Sequence, residues 1–158
     1  ILEDMYIGYF LYPYSKKKKR QIITQIPKFY LFDIGVANYL SKFVFTDLKG
    51  IEAGKAFEHY IFLEFKAYKV INSLRDEIHY YRDSYGYEVD FIIQNQAFEV
   101  KIKPNLHSKD FKGLLVFGRE YGHKLNVICT CDKKRVEVIA SQSITIWPVE
   151  EFLQALWA

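Results

Sequence analysis

Three side chains close together in the chain have the types and spacing to do chemistry: Asp90, Glu99 and Lys101. Residues 80–104 read as two strands and a tight turn. Side chains alternate faces along a strand, so Glu99 and Lys101 share one face while Phe98 and Val100 take the other. If Gln94-Asn95 is a two-residue turn, Ile93 pairs with Gln96 and Asp90 falls opposite Glu99. Directly opposed residues lie on one face, roughly 5 Å apart. Opposed like charges destabilise a sheet, so a cation is the natural third party. Hard oxygen ligands of this kind hold Mg²⁺, which polarises a phosphoryl oxygen and lowers the pKa of a bound water. Asp90 and Glu99 would supply the carboxylates, and the backbone carbonyl of Val100 a third ligand. Lys101 would orient the water or offset charge growing on a phosphate. The bland alternative stays open: Glu99–Lys101 as an ordinary exposed ion pair worth under about 1 kcal/mol. A one-residue slip in the hairpin would also send Asp90 to the wrong face.

The elements around this hairpin must position it. Lys28 to Phe32 reads as a short buried strand, after which Asp33 caps a helix through about Lys42. A second helix runs from about Ala53 to Val70. On its wheel Ala53, Ala56, Phe57, Tyr60, Ile61 and Leu63 are apolar, and Lys55, His59, Lys66 and Lys69 are polar. Glu58 sits at the border and Glu64 inside the apolar arc, so Glu64 needs a partner or another face. Strands are expected at Ile78–Arg82, Tyr87–Ile93 and Ala97–Lys103. Ser108 caps a helix through about Tyr121, which Gly122 closes. Leu125–Thr130, Val136–Ala140 and Ile144–Ile146 read as strands, and Val149–Trp157 as a helix started by Pro148. From Ala53 onward the order is helix, three strands, helix, strand: a mixed α/β core with helices flanking a central sheet. Residues 1–26 read as an N-terminal β-hairpin appendage to this 27–158 domain. Its two strands lie near residues 5–12 and Gln21–Ile26, with a basic tip at Lys16, Lys17, Lys18, Lys19 and Arg20. That tip is either a solvated turn or a phosphate-contacting wing.

Half of the 158 residues are hydrophobic and 18% are aromatic, ample for one packed core. No apolar run approaches the roughly 18 residues of a membrane span. The net charge of +3 neither demands nor excludes nucleic acid. Lys109, Lys112, Arg119 and Lys124 form either a basic flank for a nucleic-acid backbone or the solvated face of a helix. Cys129 and Cys131 point the same way along one strand, poorly placed for a disulfide. As reduced core residues they favour a cytoplasmic protein. The chain opens Ile1-Leu2-Glu3-Asp4 and so reads as a piece of a longer protein.

Asp90, then Glu99-Val100-Lys101 on the next strand, after a helix carrying Gly54-x-x-x-Glu58, resembles the PD-(D/E)xK nuclease superfamily. That group includes restriction endonucleases and archaeal Holliday-junction resolvases. A closer resemblance is to the nuclease-like C-terminal domain of unknown function of prokaryotic AAA-type ATPases. It rests on Lys28-Phe29-Tyr30-Leu31-Phe32-Asp33-Ile34-Gly35, on the run from Gly54 to Glu64, on Tyr80-Tyr81-Arg82, on Gly86 to Phe91 and on Phe98 to Lys101. The resemblance implies a restriction-endonuclease-like core and a Mg²⁺- or Mn²⁺-dependent DNA hydrolase. Asp90 and Glu99 would be metal ligands, Lys101 the catalytic lysine and Glu58 the helix carboxylate, with Glu64 in reserve. Val89 stands before Asp90 where the superfamily pattern has Pro. The resemblance also implies an upstream ATPase, with residues 1–26 as the tail of a winged-helix element. The chain itself has no Gly-x-x-x-x-Gly-Lys phosphate loop. The rival expectation is a catalytically silent nucleic-acid-binding or oligomerisation module of the same fold.

Overall fold

The computed structural model of the chain describes residues 1–15, 26–43, 47 and 49–158. Among the described residues, eight strands form one mixed sheet in the order β2-β1-β3-β4-β5-β6-β8-β7. The strands are β1 (Gly8–Pro13), β2 (Lys28–Leu31), β3 (His79–Arg82), β4 (Glu88–Ile93), β5 (Gln96–Lys101), β6 (Lys124–Cys129), β7 (Arg135–Ile139) and β8 (Gln142–Pro148). The described helices are α1 (Ile34–Leu40), α2 (Gly50–Ile71), α3 (Lys112–Tyr121) and α4 (Val149–Trp157). Asp33 caps α1 by accepting the Val36 N–H at 2.8 Å. A single 3-10 turn, Ser108–Phe111, leads into α3. The residue that caps this turn is His107 rather than Ser108. Gly122 ends α3 in the left-handed region at φ 70°, where only the missing Cβ makes the conformation cheap. Cys129 and Cys131 are buried free thiols.

Two apolar layers sandwich the sheet. On one side Phe62 and Phe65 of α2 and Phe152 of α4 pack with Phe91, Phe98 and Val100. On the other, Leu114 and Phe117 of α3 pack with Val89, Ile92, Ala97 and Leu125. The split of Phe98 and Val100 from Ala97 is the strand alternation expected of β5. α3 comes so close to β4 that a Cβ on Gly113 would lie 1.8 Å from the Glu88 carbonyl oxygen.

The N-terminal strand departs from expectation. β1 does not stand apart as an appendage: it pairs antiparallel with β2 and parallel with β3 inside the main sheet. Its hairpin partner is Lys28–Leu31, and Leu11 and Tyr30 sit in the α2-side core. An apolar strand gains most by joining a sheet edge that already has a covered face. The basic tip Lys16–Arg20, and residues 21–25 of the expected second strand, lie outside the described residues. α2 begins three residues before Ala53, at Gly50.

Two glycines separate packing from propensity. Gly113→Ala should cost about 3 kcal/mol or more in urea unfolding, because backbone blocks the new methyl. A Cβ at Gly54, in the interior of α2, would meet nothing closer than Ile102 Cγ2 at 4.0 Å. Gly54→Ala should therefore be neutral or stabilise by up to about 1 kcal/mol. Equal effects of the two substitutions would contradict this packing of α3 on β4.

Candidate functional site

The β4–β5 hairpin turns as its sequence suggests. Ile93 pairs with Gln96 across Gln94-Asn95, and Gln94 takes a left-handed φ of 53°. The pairing runs on to Phe91↔Phe98 and stops there. At the next position Asp90 Oδ2 accepts the Val100 N–H at 2.8 Å, so a side chain takes the place of a ladder partner. The other neighbour of β4 shows why. Between His79↔Ile92 and Tyr81↔Val89, β3 advances two residues while β4 advances three. The extra residue lies in Asp90-Phe91, a bulge that puts Val89 and Ile92 in the same apolar layer. Asp90 is thereby freed from strict alternation at the point where the ladder opens.

Glu58 reaches this opening from α2. Its Oε1 accepts from Lys28 Nζ at 2.8 Å and from Tyr30 Oη at 2.5 Å. Lys28 and Tyr30 are two apart on β2 and so share a face. Lys28 Nζ also lies 4.0 Å from Asp90 Oδ1. The Tyr30 ring stacks on Phe62 with centroids 4.3 Å apart, which fixes it against α2. Glu99 and Lys101, on one face of β5, form an ion pair through Glu99 Oε1. Glu99 Oε2 is buried and has no hydrogen-bond partner. Glu58, Asp90, Val100 and Lys101 line an open cleft of about 530 Å³ together with the first turns of α2. Glu99 is buried behind Lys101 and does not line the cleft.

The charges are strongly coupled. Burial, and then the Glu58 charge, push the Asp90 carboxyl from 3.8 up to about 6, against the pull of Lys101 and Lys28. Burial and the neighbouring Asp90 hold Glu99 well above the usual carboxylate range. For Lys101 burial works against the charge, but Glu99 and Asp90 outweigh it and keep the ammonium charged. Lys28 behaves likewise, with Glu58 and Asp90 outweighing burial. Burial and the Glu58 charge keep the Tyr30 phenol protonated.

Glu58 and Glu64 have different partners. Glu64 Oε2 accepts from Trp157 Nε1 of α4 at 2.8 Å, well away from the hairpin opening. The wheel erred on His59, which is buried rather than polar-facing and donates from Nε2 to the Leu31 carbonyl at 2.7 Å. Lys28 and Tyr30 were missing from the sequence-derived site. The available signal was their i, i+2 spacing on a strand, but that does not say which carboxylate they meet. Arg82 pairs with Glu88 at 2.7 Å and Lys103 with Asp110 at 2.6 Å, both close to the hairpin. Lys109, Lys112, Arg119 and Lys124 are exposed.

Carboxylate oxygens are the donor type that a hard divalent cation takes; here Glu58 and Asp90 line the cleft, Glu99 is buried beside them, and Glu99 Oε2 lacks any partner. Among the described residues, no group of three or more His, Cys, Asp or Glu side chains is placed to hold a metal ion. Glu58 and Glu99 instead each hold a lysine ammonium.

A family model described as Domain of unknown function (DUF4143) matches residues 53–152. The match covers more than half of the chain and includes α2, the hairpin and α3, and the chain belongs to this family. No curated protein and no solved structure gives a significant match. Among the described residues, no helix is long and apolar enough to cross a membrane.

The raised Asp90 value has a signed consequence. The native state holds this proton more tightly than the unfolded chain does, so the ionised carboxylate costs stability above about pH 6. That cost fades between about 6 and the unfolded value of 3.8. Without added metal, the parent should therefore lose less stability than Asp90→Asn as pH falls from about 7 to about 4.5. Thermal melts followed by circular dichroism read this directly, and identical pH slopes would show that Asp90 ionises normally.

Proposed function

We propose that this domain is a metal-dependent DNA phosphodiester hydrolase with a restriction-endonuclease-like core. The observation that carries the reading is that Glu58, Asp90 and Lys101 line one open cleft, with the buried Glu99 near enough to Asp90 to feel its charge. Asp90, Glu99, Glu58 and the Val100 carbonyl are the groups that would hold Mg²⁺ or Mn²⁺. When bound, such an ion supplies Lewis acidity toward a phosphoryl oxygen and a more acidic water. Lys101, kept charged by its neighbours, offsets negative charge developing on the scissile phosphate. Asp90 is fixed by the Val100 N–H, so its remaining oxygen keeps one orientation toward the cleft. The cleft is open, and the exposed Lys49 and Lys55 at its α2 side would serve as phosphate contacts. The resemblance drawn from the sequence adds an ATPase upstream in the same protein, and the free thiols of Cys129 and Cys131 favour a cytoplasmic setting.

A second reading has its own observation. Lys28 and Lys101 already neutralise Glu58 and Glu99, and among the described residues no group of three or more His, Cys, Asp or Glu side chains is placed to hold a metal ion. A charge cluster of this kind also suits a catalytically silent module that binds nucleic acid or a second copy of the chain.

Incubation with plasmid, linear and branched DNA plus Mg²⁺ or Mn²⁺ separates the two. Cleavage is expected, and Glu99→Ala or Lys101→Ala should lower its rate by roughly 100-fold or more. Absence of cleavage on every substrate, or variants that cut as well as the parent, would sink the hydrolase reading. Metal-independent, salt-sensitive DNA binding without turnover would favour the silent module.

A further inference from the structure

Lys28 is the least expected member of the cluster. It comes from β2, an edge strand paired on one side by β1. Its ammonium lies 2.8 Å from Glu58 Oε1 and 4.0 Å from Asp90 Oδ1, between two of the carboxylates that would ligate a cation. The side chain is mostly buried and its ammonium stands 5.4 Å from the centre of the Tyr80 ring. Tyr30 on the same strand donates to the same Glu58 oxygen. Glu58 would thus be held in place by Tyr30 even without the lysine, so orientation of Glu58 does not by itself account for Lys28. Its distinguishing contribution is a positive charge between Glu58 and Asp90. The third carboxylate adds an independent sign of a cation's place: Glu99 is 8% exposed, and its Oε2 has no partner.

We propose that Lys28 is a resident counterion: it occupies the cation's place in the metal-free protein and competes with a divalent ion for Glu58 and Asp90. The inference rests on the metal-binding reading above. Two like charges close together in a partly buried site repel strongly, so Lys28 and a metal ion cannot both hold these oxygens at full strength. Lys28 therefore keeps Glu58 and the buried Asp90 compatible with folding before metal arrives, and it sets a threshold metal concentration for loading. Lys101 has the other role, because it engages Glu99 from two residues further along β5 and lines the cleft itself.

The test is Mn²⁺ binding, read by calorimetry on the parent, Lys28→Met and Tyr30→Phe. Lys28→Met should bind Mn²⁺ roughly tenfold more tightly or better, since it removes the competing charge and keeps the bulk. It should also melt lower without metal and gain more on Mn²⁺ addition than the parent does. Tyr30→Phe, which leaves the charge in place, should stay within about threefold of the parent. A second measurement uses the parent alone, so it decides the case even if Lys28→Met does not fold. Amine-specific labelling of Lys28, followed by mass spectrometry, should be slow without metal and faster with Mn²⁺. Equal or weaker Mn²⁺ binding by Lys28→Met, or labelling that Mn²⁺ leaves unchanged, overturns the inference while the metal site stands. Failure of the parent and both variants to bind Mn²⁺ removes the metal-binding reading and this inference with it.

Discussion

Burial raises the proton affinity of Asp90 and Glu99, and the Glu58 charge beside Asp90 and the Asp90 charge beside Glu99 raise it further. Such a group is costly unless cations or hydrogen-bond donors accompany it. Here the compensation comes from two strands: Lys28 and Tyr30 on β2, and the Val100 N–H and Lys101 on β5. Each donor depends on a different piece of architecture. β2 must be in the sheet, which requires β1 as its bridge to β3. The Val100 N–H must be free of a ladder partner on the β4 side, which requires the pairing to stop at Phe91↔Phe98.

The bulge in β4 links packing to chemistry. A regular strand would place Val89 and Phe91 in one layer and Asp90 in the other. The extra residue instead lets Val89 join Ile92 against α3 while Phe91 stays with α2. Both apolar layers are satisfied, and Asp90 is left at the seam between them. On the other side, α2 presents Ile61, Phe62 and Phe65 to the sheet. That orientation turns Glu58 toward β2 and β4 and sends Glu64, six residues on, toward Trp157 of α4. One helix rotation thus decides which carboxylate joins the cluster, and aromatic packing sets that rotation.

Membership of a family described only as a domain of unknown function leaves the site to argue for itself. Its chemistry is that of a charge cluster held ready at a cleft: carboxylates with raised proton affinity, ammonium groups that stay charged, and one buried oxygen without a partner. A purely structural ion-pair network would gain from satisfying that last oxygen. That oxygen belongs to Glu99, which is buried and outside the cleft lining.

The sequence by itself determined most of the elements, the two-residue turn at Gln94-Asn95, and the shared face of Glu99 and Lys101. These follow from period-2 and period-3.6 patterns and from local cap and turn chemistry, which act over a few residues. The placement of Asp90, Glu99 and Lys101 near one another was legible for the same reason: a tight hairpin makes neighbours of residues about ten apart. Only the tertiary structure decided the rest. The bulge arises from competition between two apolar layers on opposite faces of β4. The incorporation of β1 and β2 into the sheet depends on an edge that exists only once β3 is in place. The arrival of Lys28 beside Glu58, and the choice of Glu58 over Glu64, depend on how α2 rolls against the sheet. A helical wheel fixes relative angles around one axis, and only long-range packing says which of those angles faces the site.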